Sequence, residues 1–171
     1  MKEDVIVDKQ NKISSEKIIM EFIEFLDQIE IEIIRMVEKA GYSIEENKPL
    51  CLLGRNYVGF FKKRQKTIVI CTENAMKKEG YTLQNKRDVN GFERTAKHIK
   101  KALRHESIHI AQECNNGNLL YMKKELSMNP AKLEALNGSI KISGEEEKEK
   151  QAYILEDRPK QVKKELKKYC L

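Results

Sequence analysis

The chain lacks the features that direct proteins into or across membranes. No stretch approaches the roughly eighteen consecutive apolar residues that a membrane-spanning helix needs. The start at Met1 has neither the basic segment nor the apolar core of a signal peptide. Internal repeats and low-complexity linkers are absent as well. We therefore expect one cytoplasmic domain over residues 1–171, with no membrane contact and with residues 1–13 as a candidate flexible tail.

The cysteines are widely scattered, and their spacing does not match the common metal-binding frameworks. The chain has four cysteines, and no two of them form a CxxC pair. They are Cys51, Cys71, Cys114 and Cys170. Because disulfides are rare in the cytosol, we expect all four to be free thiols. Cys114 is expected to be structural rather than a metal ligand.

The excess of basic residues permits an acidic partner without requiring one. The net charge is +6 and the isoelectric point is near 9.0. The lysines are interleaved with glutamates along the chain. Even the basic stretch at 160–168 has helical spacing, with Val162 and Leu166 on its other side, and cations are favourable near a helix C-terminus. A nucleic acid is therefore not expected as a partner.

Hydrophobic periodicity and turn residues predict an α+β domain that is mainly helical with a small antiparallel or mixed sheet. A first helix should begin at Ser14 or Ser15 and end at Gly41. Two β-rich segments at 50–61 and 67–72, joined by a charged connection, suit a hairpin. The polar segment after them is expected to be a loop with a short helical turn. The remaining helices are expected at 90–114, 129–138, 145–156 and 159–169.

The helix at 90–114 carries the most informative motif, the HExxH pentapeptide at 105–109. An α-helix has about 3.6 residues per turn, so residues i and i+4 lie one above the other. His105 and His109 can therefore bind one metal ion. Glu106 lies beside that ion, where its carboxylate can activate a water molecule, as in zinc hydrolases. The motif predicts a Zn²⁺ site and a peptidase.

The sequence around the motif supports a helix with one side against a core. Asn90 can cap its N-terminus, and Glu93 can complete a capping box. Apolar residues recur at helical spacing on both sides of the motif. They are Phe92, Ala96, Ile99, Leu103 and Ile110. The histidines of the motif should lie near the C-terminal end of this helix.

A catalytic zinc site needs three protein ligands and one open position, and the third ligand here is not a histidine. Gln112 and Asn115 stand where the metzincin pattern has glycine and histidine. His98 lies on the same helix but about 10 Å from His105, because each residue adds about 1.5 Å. His98 is therefore expected at the rim or in a structural role.

A carboxylate from the helix at 145–156 is the expected third ligand. Glu149 shares the inward side of Ala152 and Tyr153, and a buried carboxylate is costly unless it is paired or bound to a metal. Glu156 is expected to hydrogen-bond a ligating histidine. If Glu149 is not the ligand, Glu156 is the next candidate, followed by Glu145.

The two motifs together resemble those of the gluzincins, zinc peptidases with HExxH on one helix and a ligating glutamate on a later one. The second motif is Glu149-x-x-Ala152-Tyr153. The arrangement is most similar to compact bacterial and phage proteins, among them the ImmA-like peptidases that cleave repressors. The resemblance implies a zincin-like fold and a protein or peptide substrate. It also implies a single zinc bound by His105, His109 and Glu149, with Glu106 as general base and acid.

In zincins a sheet packs behind the active-site helix, and an edge strand pairs with the extended substrate. The segment 67–72 is the candidate edge strand, with an ordinary core strand as the alternative. A donor that stabilises the oxyanion is also expected, and Tyr153, Tyr121 and Arg104 stay open as candidates.

Two other functions compete with the peptidase. The first is a zinc-binding regulatory or scaffold module with little turnover. The second is a basic helical module that binds protein or nucleic acid and carries HExxH by chance. An intact Glu106 argues against the first, because a purely structural zinc site has no use for a general base.

Overall fold

The computed structural model describes residues 20–122 and 128–171. The helices are α1 (Gln28–Lys39), α2 (Thr72–Glu79), α3 (Val89–Cys114), α4 (Pro130–Ser143), α5 (Glu146–Leu155) and α6 (Pro159–Cys170). The strands are β1 (Ser43–Glu46), β2 (Gly59–Lys62) and β3 (Thr67–Ile70). The predicted mainly helical α+β class with a small mixed sheet is confirmed. Among the described residues, no helix combines the length and the apolar character needed to cross a membrane.

The first helical segment is more broken than its apolar periodicity predicts. Residues Glu21–Phe25 form a 3-10 helix, Leu26 is extended, and α1 begins only after Asp27. The Glu30 carboxylate accepts a hydrogen bond from the Asp27 N–H at 3.3 Å, which favours a new helix start at this point. The prediction of a single continuous helix is therefore wrong. The predicted start and the tail at 1–13 lie outside the described residues.

The three-stranded sheet has β3 at its centre, with β1 parallel to it and β2 antiparallel to it. The prediction that the segment 67–72 forms an edge is wrong, because β3 has a neighbour on each side and is buried along its length. The hairpin of β2 and β3 is confirmed. The strand expected over 50–61 begins only at Gly59, because Pro49–Leu53 forms a 3-10 helix.

Helix α3 is the central element, since helices α1, α2, α5 and α6 and strands β2 and β3 all pack against it. Its cap is Asp88, whose carboxylate accepts a hydrogen bond from the Gly91 N–H at 2.9 Å. The predicted capping box of Asn90 and Glu93 is therefore wrong by two residues. Between His105 and Gln112 almost every residue of α3 is buried, so the HExxH motif lies inside the protein.

Two other elements differ from the prediction in length. Part of the segment expected to be a loop forms α2. Helix α4 begins after Asn129 as predicted, but it runs on to Gly144 instead of ending at Gly138. Gly144 has φ 71, the left-handed conformation that ends a helix without cost for glycine, whereas Gly138 remains helical. Helices α5 and α6 match their predicted ranges closely.

All four cysteines are paired, so the prediction of free thiols is wrong. Cys51 is bonded to Cys71, and Cys114 is bonded to Cys170. The partners are 20 and 56 residues apart in the sequence. Tertiary packing brings them together, and their spacing alone could not reveal the pairs. Cys114 does have a structural role, as expected, but through its disulfide.

We predict that alkylation of the folded protein without reductant modifies none of the four cysteines, which mass spectrometry can measure. The paired variants Cys51→Ser/Cys71→Ser and Cys114→Ser/Cys170→Ser should lower the free energy of unfolding by roughly 3 and 4 kcal/mol respectively, because each crosslink restricts the unfolded chain. Denaturant titration measures this loss. Stoichiometric labelling of the folded, unreduced protein would contradict both pairings.

Candidate metal centre

Three side chains from two helices meet beside the motif. Helix α3 supplies His105 and His109, one turn apart, and helix α5 supplies Glu149. The Nε2 atom of His105 lies 3.1 Å from Glu149 Oε2 and 3.3 Å from His109 Nε2. The Nε2 atom of His109 lies 3.5 Å from the same carboxylate oxygen. The fold therefore brings the three predicted ligands together in one cluster.

The cluster has the size and the chemistry that a tetrahedral zinc site requires. Zinc binds imidazole nitrogen and carboxylate oxygen at about 2.0–2.2 Å, so two ligands at tetrahedral angles lie about 3.3–3.6 Å apart. The three separations in the cluster, 3.1 Å, 3.3 Å and 3.5 Å, are close to that range. Two imidazoles and one carboxylate also form a donor set found in catalytic zinc sites. The residues present fit a zinc ion.

Both histidines present the correct nitrogen to the cluster because their other nitrogens have partners. The Nδ1 atom of His105 lies 3.1 Å from Glu156 Oε2, and the Nδ1 atom of His109 lies 2.9 Å from Gln112 Oε1. A carboxylate or an amide oxygen can only accept, so each Nδ1 carries the proton. When the imidazoles are neutral, as metal binding requires, the lone pair of each is on Nε2, directed at the cluster. The predicted contact between Glu156 and a histidine of the motif is present.

Gln112 is the contributor that sequence reasoning missed. In the sequence it stands only where the metzincin pattern has glycine, yet its side chain is 2% exposed and its Oε1 accepts from His109 Nδ1. Its Nε2 donates to the Lys148 carbonyl and to Gln151 Oε1 at 3.1 Å and 3.0 Å. Gln151 in turn exchanges two hydrogen bonds with the Leu120 backbone. Its position in the sequence could have indicated this contact, because Gln112 lies three residues after His109 on the same helix.

Glu106 lies outside the ligand set and against strand β2. A Cβ atom added at Gly59 would stand 3.1 Å from Glu106 Oε1, 3.2 Å from Glu106 Cγ and 3.0 Å from Ala102 Cβ. Such contacts are tighter than side chains normally tolerate, so glycine at this position allows the strand to approach the helix. The carboxylate is thereby held between the strand backbone and the metal cluster.

The charges of the site influence one another strongly. Burial alone would lower the pKa of His105, but hydrogen bonds to Glu149 and Glu156 outweigh it and raise that pKa to about 10. Burial would raise the pKa of Glu149, but hydrogen bonds to His105 and His109 hold it well below its usual range. Burial raises the pKa of Glu106 in spite of the nearby histidines. The site therefore favours positive charge beside Glu149 and a proton-accepting carboxyl group at Glu106.

A cleft of about 310 Å³ opens onto the cluster. Strand β2 and the residue Tyr57 before it form one wall, and helix α4 contributes Ser139, Ile142 and Ser143 to the opposite wall. His105, Glu106, His109 and Glu149 lie along the cleft surface. The cluster is thus both mostly buried and reachable from solvent.

Comparison with known proteins identifies a family. The model of a family described as a domain of unknown function, DUF8637, matches residues 22–171. The chain belongs to the DUF8637 family. The matched range includes both helices that supply the cluster. Searches of curated proteins and of solved structures gave no match.

The remaining histidine of this DUF8637 protein and the alternative ligand Glu145 lie outside the cluster. His98 Nε2 contacts Glu79 Oε1 at 2.6 Å, so His98 has the structural role that was expected. Glu145 is the residue before the first turn of α5, and its side chain pairs with Lys148 at 2.6 Å. Among the described residues, the only cluster of histidine, cysteine and acidic side chains that could hold a metal contains Glu149 rather than Glu145 or Glu156.

The three candidate oxyanion donors of the DUF8637 chain have other partners or are exposed. The Arg104 guanidinium donates to Glu30 Oε1 at 2.8 Å and to the Glu156 carbonyl at 3.1 Å. The Tyr153 ring packs edge-on against His105, and its hydroxyl contacts Ser139 Oγ at 2.7 Å. Tyr121 is 69% exposed. The structure therefore singles out none of them as the donor.

We predict that the purified DUF8637 protein binds one Zn²⁺ per chain, and that His105→Ala or Glu149→Ala abolishes this binding, as metal analysis would show. Gln112→Ala and Glu156→Gln should keep the site but weaken zinc affinity about 10- to 100-fold, because they remove the acceptors that orient the histidines. His98→Ala is the matched control and should bind zinc normally. Unchanged zinc content in Glu149→Ala would move the third ligand elsewhere.

Proposed function

We propose that this DUF8637 protein is a zinc-dependent peptidase. One observation carries the proposal: three ligand groups converge on a site of zinc dimensions while a fourth group, Glu106, stays buried beside them and outside the ligand set. A structural zinc site is usually closed by four protein ligands. Three ligands, an adjacent carboxylate and an open cleft are instead the parts that hydrolysis requires.

Bound at His105, His109 and Glu149, a zinc ion would polarise the scissile carbonyl group and make water a better nucleophile near neutral pH. The chain itself supplies the proton transfers. Glu106 accepts a proton from the attacking water at a carboxylate oxygen, and a C–O bond forms. Glu106 then delivers that proton to the amide nitrogen as the C–N bond breaks. Its raised pKa suits a group that must hold the proton between the two steps.

Strand β2 is the surface that would bind the substrate backbone. The Val58 carbonyl accepts a hydrogen bond from the Cys71 N–H at 2.8 Å, so the backbone groups of Val58 face β3. In an antiparallel pair these directions alternate, and the N–H and C=O groups of Gly59 and Phe61 therefore point away from β3. Among the described strands β2 has a neighbour on one side only. An extended peptide can pair with that free side.

A zincin-like fold is part of the same proposal. A zincin-like arrangement would place the sheet behind the active-site helix and the edge strand along the cleft, and the contacts of α3 with β2 and β3 support it. The ligating glutamate on the later helix α5 supports the gluzincin branch. The substrate class that follows is a protein or peptide, without a membrane or nucleic acid as partner.

The location expected from the sequence, the cytoplasm, remains a prediction. The two disulfides weigh against it, because disulfides persist mainly in oxidising compartments. The proposed chemistry is the same in either compartment, since no cysteine belongs to the cluster.

We predict that Glu106→Gln lowers the rate of peptide hydrolysis by about 10²- to 10⁴-fold, because an amide cannot accept the proton. Zinc content should stay at the native level. The assay is cleavage of a fluorogenic peptide library, with metal analysis of the same samples. Native-level cleavage by Glu106→Gln would overturn the mechanism, and zinc-loaded native protein that cleaves no peptide would favour the regulatory module.

A second variant tests the position of Glu106 without changing its chemistry. Gly59→Ala should displace the Glu106 carboxylate and lower kcat by up to about 100-fold, because small misplacements of a catalytic group have effects of that size. Zinc binding should be retained. Gly138→Ala is the matched control, since a Cβ there meets nothing within 4 Å and should leave kcat unchanged. Equal kcat values for the two variants would contradict the assigned role of Gly59.

A further inference from the structure

Helix α5 supplies both carboxylates that touch His105. Glu149 Oε2 lies 3.1 Å from Nε2 of the ring, and Glu156 Oε2 lies 3.1 Å from Nδ1. The two glutamates are seven residues apart in the sequence, which places their Cα atoms about 10 Å apart along the helix. A movement of α5 along or around its axis would therefore change the contacts at both ring nitrogens at once. The geometry of His105 depends on where α5 lies on α3.

Apolar packing does little to fix that position. The fully buried apolar side chains of α5 are Ala152 and Leu155, and they share the buried side of the helix with the polar residues Glu149 and Gln151. The hydrophobic effect is non-directional, so it does not place a ligand to within the few tenths of an ångström that a metal site requires. Hydrogen bonds are directional and can supply that precision.

Helix α3 holds the backbone of α5 at two carbonyl groups. Gln112 Nε2 donates to the Lys148 carbonyl at 3.1 Å, and Arg104 Nη1 donates to the Glu156 carbonyl at 3.1 Å. Glu156 caps the C-terminus of α5, where carbonyl groups lack partners within the helix and a cation is favourable. In the sequence the two donors lie on either side of the two histidines of the cluster. They attach the helix with the third ligand to the helix with the first two.

Arg104 is itself held by a buried carboxylate. Its Nε and Nη2 atoms lie 2.8 Å and 2.6 Å from Glu30 Oε1, and Glu30 is fully buried in the first turn of α1. The other oxygen of Glu30 accepts from the Asp27 N–H at 3.3 Å. With Nε and Nη2 engaged on one side of the planar guanidinium, Nη1 is left to donate to the Glu156 carbonyl. The direction of that donor is therefore fixed by α1.

The energetics of the Arg104–Glu30 pair indicate a geometric role. A buried ion pair is costly to desolvate, and apolar residues of similar volume often give equal or greater stability. The pair is therefore not required to hold α1 against α3. Apolar residues could not supply a hydrogen-bond donor in a fixed direction at the end of α5.

We infer that Arg104, oriented by Glu30, is a positioning residue of the metal centre. Its hydrogen bond to the Glu156 carbonyl fixes the C-terminal end of α5, so that Glu156 and Glu149 reach the two nitrogens of His105. The inference rests on the proposed zinc peptidase and extends its site to helix α1. Loss of the pair should leave the ligands present but loosen the geometry in which they bind zinc.

Removal of both charges separates positioning from stability. In Arg104→Met/Glu30→Gln no buried charge is left unpaired, and a glutamine can still accept from the Asp27 N–H. The zinc-free variant should therefore unfold at a denaturant concentration close to that of the native protein. Its zinc affinity, measured by competition with a chelator, should fall about tenfold or more, as for other groups that orient metal ligands. Arg94→Met is the matched control and should bind zinc normally, because Arg94 pairs with Glu79 at 2.7 Å and lies about 16 Å along α3 from the cluster.

A second variant keeps the test decisive if the first does not fold. Arg104→Lys retains a charge beside Glu30, but an ammonium group lacks the planar fork that serves Glu30 and the Glu156 carbonyl together. It should weaken zinc binding several-fold. Native zinc affinity in either folded variant overturns the inference.

Histidine NMR measures the positioning directly. In the zinc-loaded native protein the Nδ1 protons of His105 and His109 should both exchange slowly, because Glu156 and Gln112 accept from them. In the Arg104 variants the resonance of the His105 proton should shift or broaden. The resonance of the His109 proton should stay, since its acceptor lies on α3 itself. An unchanged His105 resonance, or equal changes at both histidines, overturns positioning through Glu156.

Failure of the proposed function would give different results. Native protein that binds no zinc overturns the metal centre and this inference with it. Zinc-loaded native protein that cleaves no peptide overturns the peptidase alone, because affinity and NMR still measure the role of Arg104.

Discussion

The site depends on the electrostatic cost of burying several carboxylates around one imidazole. His105 has Glu149 at one ring nitrogen and Glu156 at the other, each at 3.1 Å, and Glu106 is adjacent in the sequence. Unpaired buried charges are expensive, so positive charge must accompany them. Lys132 at 3.2 Å and Lys101 at 3.7 Å compensate Glu156 from outside. Among the described residues, Glu149 has only the two histidines as partners, and its hydrogen bond to His105 raises the pKa of that histidine and favours positive charge here.

The motif lies at the centre of the fold rather than at its surface. Helix α3 has other elements around it, and the residues near the motif are mostly buried. That burial makes the hydrogen bonds of His105 and His109 effective, since water does not compete with Glu156 and Gln112 for the ring nitrogens. Burial also favours a glycine in β2, because a Cβ at Gly59 would crowd the Glu106 side chain at 3.1–3.2 Å.

The parts of the site that could be predicted from the sequence follow from helical periodicity. His105, Glu106 and His109 lie at fixed spacing on one helix. Glu149 could be predicted because a carboxylate on an apolar helix face is costly unless it is paired or bound to a metal. Gln112 was accessible by the same logic, but its signal was weak because glutamine is common on exposed helix faces. The remaining errors concern tertiary structure. Strand β1, which the sequence did not predict, is short and mostly polar, and it pairs with β3.

The disulfides also could not be predicted from the sequence, because tertiary packing brings their cysteines together. One of them fixes one wall of the cleft. The Cys51–Cys71 bond fastens the segment before β2 to the end of β3, and the Asn74 side chain donates hydrogen bonds to the carbonyls of Cys51, Gly54 and Tyr57. The wall that would bind the substrate backbone is therefore doubly anchored.

Helix α4, on the opposite wall, is held more lightly. It packs mainly on α5, and Leu136 is its one fully buried residue. It also makes hydrogen bonds to α5. Lys132 donates to the Tyr153 carbonyl, and the hydroxyl groups of Ser139 and Tyr153 share a hydrogen bond. Local opening occurs most readily where few apolar contacts resist it. Adjustment of the cleft to different side chains should therefore come from α4, while β2 keeps the backbone of the substrate in register with Glu106.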